Sequence, residues 1–335
     1  MDDGQGQDDF DSEVETDKVF GRGREGGGGE GETERRQGAT RGVRRLEKEK
    51  KVGGEGVWKL GAKDTCLYTS ATWPLMVCYQ PSADVRVVGL KLLHGNTLLP
   101  VYDRRVKPKN AWSRCVHVTG GCVVFASCSI ACQSGAGLLV EGAAADVKCV
   151  RTAFKDSAAD GVVVLAGARV QMEGCEASRN GANGVLARGH ATDVRVSGCR
   201  LYHNGWQGGA ASQGAYLHVF NSWVHHNTQA GLAAFDSVSE THVINSDLKG
   251  NLHGVAAEGR GRAWVSRCRL VDNKETGALS NHDGSSVSVD TCQVRGSGFK
   301  VYCLGSGTGA LNDDGSSGSR VYTQNIKPKN LNPKP

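Results

Sequence analysis

Aromatic residues make up only 6% of the 335 positions, too few for a helical bundle packed around large rings. No run approaches 18 consecutive apolar residues, so no membrane-spanning helix can be read from the chain. The first residues, MDDGQGQDDFDSEVETD, are acidic and have no apolar centre. They do not read as a secretory leader, and an intracellular location, cytoplasmic or nuclear, is the expectation. The twelve cysteines include no CxxC pair and no Cys/His metal spacing, so the sequence gives no metal site and no cofactor. A net charge of +5 is mild and does not call for a nucleic-acid partner.

Glycine, by contrast, is abundant at 47 residues. Spread between short apolar pieces, it suits a chain that turns often. Residues 1–56, which contain GRGREGGGGEGETERR, hold few large apolar side chains and read as a disordered charged tail. Residues 57–114 read as an N-terminal cap with irregular first coils. Residues 115–325 read as one repetitive domain. Residues 326–335 read as a disordered Pro/Lys tail that stops strand addition at an open end.

The repetitive domain carries a small residue at a near-constant interval: Cys128, Thr152, Cys175, Cys199, Ser222, Ser246, Cys268 and Cys292. The spacings are 22–24 residues. Two places later stand Ile130, Phe154, Ala177, Leu201, Val224, Leu248, Leu270 and Val294; three places earlier stand Phe125, Cys149, Met172, Val196, Val219, Val243, Val265 and Val289. Five places later come Gln133, Ser157, Asn180, Asn204, Asn227, Asn251, Asn273 and Ser297, and a glycine follows in most units. A period of this length signals a solenoid. Apolar and polar residues alternate over three to five positions, which is strand periodicity. Three short strands fit each unit, so the expected fold is all-β: a right-handed parallel β-helix whose coils lie roughly 4.8 Å apart. Residues one period apart then become neighbours, and the asparagines form a ladder of mutually bonded amides. The repeated cysteines read as small buried thiols.

The units CRLYHNGWQGG, SWVHHNTQAGL, SDLKGNLHGV and CRLVDNKETGAL resemble the right-handed parallel β-helix repeat family of the pectin-lyase-like superfamily. The stretch CVHVTGGCVVFASCSIACQSGAGLLVEGAAADV also resembles the β-helix portion of F-box ubiquitin-ligase adaptors. The first resemblance implies substrate chemistry along the outer face of the main sheet. The second implies an adaptor-like, non-enzymatic scaffold.

On that main strand the outward positions fall in two columns. One runs Cys122, Asp146, Arg169, Asp193, Tyr216, Glu240, Arg262 and Ser286; the other runs Val124, Lys148, Gln171, Arg195, His218, His242, Trp264 and Ser288. The alternating signs of Asp146, Arg169 and Asp193 read as a cross-coil charge ladder. Asp146 and Asp193 would stand roughly 9.6 Å apart, two strand spacings, with a cation between them. That placement disfavours a glycoside hydrolase, whose general acid needs a raised pKa. Arg195, Tyr216, His218 and His242 supply the residue types of a uronate lyase or epimerase: a base titrating near neutrality and a cation for the substrate carboxylate. Lys148, Asp146, Arg169, Asp193, Glu240 and Trp264 are the accompanying binding residues. On another strand Leu139, Leu186 and Leu279 mark an exposed apolar stripe that would be covered by the chain itself or by a protein partner. His203 and His226 share a column on adjacent coils and read as a surface patch, with no third metal ligand evident.

The short turns leave no tall walls around a cleft. The leading expectation is therefore a non-enzymatic, monomeric binding scaffold whose partner is a protein or a polysaccharide, with pectin and alginate left unchanged. The alternative is a polysaccharide lyase or epimerase acting along the main sheet.

Overall fold

The computed structural model describes residues 65–69, 73–95, 113–282, 284–295, 301–303 and 311–312. The readings for residues 1–56 and 326–335 fall outside them. The described chain is a right-handed parallel β-helix of three ten-stranded sheets. Each strand pairs, always in parallel, with the strands three earlier and three later in the chain, so one coil spends one strand in each sheet. The short sheet runs from Cys66–Thr69 to Gln293–Arg295, the side sheet from Met76–Cys78 to Val301–Cys303, and the long sheet from Asp84–Val88 to Leu311–Asn312.

Within residues 57–114, the strands Cys66–Thr69, Met76–Cys78, Asp84–Val88 and Lys91–His94 already enter these sheets in register. Lys91, for example, lies between Cys66 and Ser129.

The core consists of like residues stacked one coil apart. Val170, Val194 and Leu217 are register partners, as are Ala177, Leu201 and Val224, and all six are fully buried. Such columns follow from period-two alternation within a strand combined with the coil period between strands.

Two polar ladders run through this interior. In the first, the Oδ1 of each asparagine accepts from the backbone N–H and the Nδ2 of the asparagine one coil earlier: Asn180 to Asn204 (3.2 and 3.0 Å), Asn204 to Asn227 (3.1 and 3.0 Å), Asn227 to Asn251 (2.9 and 3.0 Å), and Asn251 to Asn273 (3.1 and 3.3 Å). Each Nδ2 also donates to a carbonyl, as Asn227 does to Leu201. The file expected from the sequence is therefore present and buried. Its N-terminal end differs. Ser157 takes the rung below Asn180, and the next rung is Cys132, whose N–H donates to Ser157 Oγ at 3.2 Å. Gln133 lies exposed one position further on, because later coils place a left-handed residue before the rung, Asp156 and Arg179 for example, and this coil does not.

The second ladder is the column of small residues. The N–H of Cys175 donates to Cys199 Sγ (3.2 Å), Cys199 to Ser222 Oγ (3.1 Å), Ser222 to Ser246 Oγ (3.1 Å), Ser246 to Cys268 Sγ (3.4 Å), and Cys268 to Cys292 Sγ (3.3 Å). Cys, Ser and Thr interchange here because each offers one acceptor and one donor in a small volume. The cysteines are free thiols.

The recurring glycine has a steric cause. At Gly208 an added Cβ would lie 2.6 Å from the Gly231 carbonyl oxygen and 2.8 Å from Asn227 Nδ2. The asparagine ladder occupies the space that a side chain would need.

The apolar stripe is not a free surface. Leu139, Ala210, Ala233, Ala256 and Leu279 are buried, and Leu186 is half-buried. Ala230, Ala233, Ala256 and Leu279 form a second apolar cluster with Phe235 packed against it. Small side chains on successive coils let a bulkier neighbour close over them.

Candidate active site on the long sheet

The long-sheet strands alternate in and out, so Asp193, Arg195 and Ser197 face outward while Val194 and Val196 are buried. The turns on either side are short. Two residues separate Ser197 from Arg200, and four separate Arg188 from Asp193. The outer face is therefore open, and what it can do depends on side chains projecting directly from the strands.

Register brings the four candidate catalytic residues onto three consecutive coils. Asp193 lies opposite Tyr216 and Arg195 opposite His218; Tyr216 lies opposite Glu240 and His218 opposite His242. Asp193 bridges two of them. Its Oδ2 accepts from Arg195 Nη2 at 3.1 Å, and its Oδ1 lies 3.8 Å from His218 Nε2. That Oδ1 is buried and has no hydrogen-bond partner of its own. His218 is only a quarter exposed. Burial pulls its pKa below the ordinary histidine value; Asp193 opposes that pull, while His242 and Arg195 add to it. The ring is thus held neutral near pH 7, the form that can accept a proton.

The column continues as a ring stack. His218 and His242 have centroids 5.0 Å apart, and His242 lies 4.5 Å from Trp264 with nearly parallel planes. His242 Nε2 is 3.4 Å from Glu240 Oε2, whose other oxygen stands 4.0 Å from Arg262. Two coils before Arg195, Lys148 pairs with Glu173 of the intervening coil at 2.7 Å.

Among the described residues the charge ladder expected from the sequence forms only in part: Glu240 and Arg262 pair across coils, and Arg169 does not. Arg169 is flanked in register by Asp146 and Asp193, yet among the described residues no ion pair joins it to either. The Asp193 carboxylate is instead engaged by Arg195, two residues along its own strand. Asp146 and Arg169 remain exposed at the edge of the face. Leu139, Leu186 and Leu279 lie on the side sheet and take no part.

The sequence reading missed a third outward column. Phe220, whose ring is parallel to His218 at 6.2 Å, and Glu173 both belong to it. One more step of the same alternation, two places before each small residue, would have found them. A shallow open depression lies on the turns between the side and long sheets, lined by Phe235, Asp236, Glu258, Gly259, Arg260 and His282. It contains none of the residues of this cluster.

The family described as "Right handed beta helix region" matches residues 104–248. No curated protein matches the sequence. Among solved structures, a periplasmic alginate epimerase (a double mutant) superposes with a TM-score of 0.52 at 11% identity, covering 70% of this chain. This chain spans 59% of that protein's length. A mannuronan C-5 epimerase A-module from Azotobacter vinelandii gives a TM-score of 0.45 at 12% identity, covering 79% of this chain and 80% of its own. A pectate lyase gives 0.43 at 14% identity, covering 77% and 69%.

Proposed function

We propose that this right-handed parallel β-helix acts on an anionic polysaccharide, as a uronate lyase or epimerase, along the outer face of its long sheet. One observation carries the reading: a proton-accepting His218 sits beside a buried carboxylate oxygen of Asp193 and directly opposite Arg195 in the sheet. The fold neighbour named as an alginate epimerase directs attention to uronates; at 11% identity it speaks only for the fold.

The chemistry needs a cation for the carboxylate, a base for the adjacent proton and a proton donor, and we assign these roles to Arg195, His218 and either Tyr216 or water. Arg195 keeps N–H groups free beyond its single bond to Asp193 and is well exposed; it receives the uronate carboxylate. His218 takes the proton from the adjacent carbon, and the C–H electron pair moves into the carboxylate, whose charge Arg195 offsets. In an epimerase the pair then takes a proton from a water molecule on the opposite face of the sugar, leaving hydroxide that the protonated His218 neutralises. In a lyase it expels the neighbouring glycosidic oxygen and leaves a carbon–carbon double bond; that oxygen takes its proton from Tyr216 or water. Asp193, whose Oδ1 lies 3.8 Å from the ring, offsets the positive charge that the imidazole gains. His242 and Trp264 offer a ring platform for an adjacent sugar.

The test is incubation of the full chain with polymannuronate and polygalacturonate in deuterium oxide. Either reaction requires loss of the carbon-bound hydrogen beside the carboxylate, seen as deuterium uptake or as an unsaturated product. Both signals should vanish in a folded His218→Ala variant. Absence of both from the wild-type chain across uronate polymers would refute the enzymatic reading. The open, wall-less face also suits a second reading, a non-catalytic polysaccharide-binding scaffold. It predicts polymer binding that His218→Ala leaves intact, with no deuterium uptake.

A further inference from the structure

A second histidine cluster lies on the short sheet, separate from the long face. His225 and His226 are consecutive, and consecutive strand residues ordinarily point to opposite sides. Here His226 has a left-handed backbone, φ 55°, which breaks the alternation and turns both rings outward. His203 has the same backbone, φ 54°, in the equivalent position one coil earlier. The Nδ1 atoms of His225 and His226 stand 3.0 Å apart. The His203 ring centroid lies 5.3 Å from that of His226 and 6.0 Å from that of His225.

The next coil is shaped to receive this pair. Gly250 follows His203 and His226 in the same column, and a Cβ there would sit 3.1 Å from His226 Nε2. The ring thus lies back over a residue without a side chain, and its Nδ1 is left facing His225. The nearby Tyr202 ring stacks on His225 at 4.8 Å and fixes its plane, while its hydroxyl is committed to Glu176 at 2.6 Å.

We propose that His225 and His226 chelate a divalent late transition-metal ion through their Nδ1 atoms, with His203 turning in as a third ligand. At imidazole–metal bonds of about 2.05 Å, donors at this separation subtend about 94° at the metal. An angle near a right angle suits the tetragonal geometry of Cu(II) or Ni(II) better than a tetrahedral zinc site. Among the described residues no three His, Cys, Asp or Glu side chains are already gathered for a metal. The pair is preset, and His203 completes the set by rotation. The proton shared between the two Nδ1 atoms is displaced when the metal takes its place.

Calorimetric titration of the full chain with CuCl2 and NiCl2 tests the chelate. His225→Ala and His226→Asn are the test variants, Asn being chosen because it tolerates the left-handed backbone. His190→Ala, an exposed histidine elsewhere, is the control, and circular dichroism establishes that each variant is folded. The expected result is one saturable site in the wild type and in the control, weakened about tenfold or more in each test variant. No saturable site, or a test variant weakened no more than the control, overturns the chelate. For the third ligand, the Cu(II) electron paramagnetic resonance spectrum should show coupling to three imidazole nitrogens, falling to two in His203→Ala. An unchanged spectrum removes His203 from the site.

Discussion

Replacing Asn227 with alanine removes four hydrogen bonds from the middle of the buried ladder. Its Oδ1 accepts from the N–H and Nδ2 of Asn204 at 3.1 and 3.0 Å, and its Nδ2 donates to the Leu201 carbonyl at 3.1 Å and to Asn251 Oδ1 at 3.0 Å. The losses are unequal. Asn204 Nδ2 keeps the Ala177 carbonyl, and Asn251 Oδ1 keeps the Asn227 N–H. The Asn204 backbone N–H has no such second partner and becomes a buried, unsatisfied donor, which costs about 1–3 kcal/mol. The Leu201 contact and the other weakened bonds bring the expected loss to about 2–5 kcal/mol. Urea unfolding measures it as a lowered midpoint, and hydrogen exchange should show the Asn204 amide losing protection. Gln229→Ala is the control. That residue is exposed two positions away, and its replacement should change stability by no more than about 0.5 kcal/mol. Equal midpoints for the two variants would refute the claim that the ladder braces the coil.

Three other outcomes follow from the same geometry. Gly208→Ala puts a Cβ against the Gly231 carbonyl and Asn227 Nδ2, so the unfolding midpoint should fall although the residue gains only a methyl group. Desolvation raises the Asp160 pKa, while its Oδ1 accepts from the N–H and Nδ2 of Asn183, both at 2.8 Å. Asp160→Asn keeps that acceptor and removes the charge. The raised pKa favours the protonated wild type as pH falls, so the variant should match or exceed the wild type at pH 7 and lose that advantage on acidification. His218 has a lowered pKa, so the rate of deuterium uptake should stay level down to the ordinary histidine value of about 6.5 and decline only below it; a decline beginning at higher pH would show that the proton acceptor is another group.

Much of this architecture was legible because a solenoid repeats its physics. The interval between Cys175 and Cys199 fixes the coil length, and the asparagines five places later fix one corner of it. The alternation of Asp193, Val194, Arg195 and Val196 states which residues face out, and the structure keeps every one of those directions. What stayed hidden were features set by side-chain choice among neighbours. Nothing in the sequence says that Asp193 would pair with Arg195 in preference to Arg169. The burial of Leu279 depends on how neighbours pack with small residues such as Ala233 and Ala256. The coil of Cys132 lacks the left-handed residue that precedes the rung in later coils, such as Asp156 and Arg179, so its rung comes one place earlier, and periodicity alone does not register it. The left-handed backbone at His226 likewise turns a strand-like pair into two rings on one side.

A crystal structure of the chain with a bound uronate oligosaccharide tests the account most directly. The account predicts the sugar on the long sheet, with a carboxylate on Arg195, the adjacent carbon facing His218, and a neighbouring ring against His242 or Trp264. Occupancy confined to the opposite surface, around the exposed Trp206 and Trp223, would contradict it.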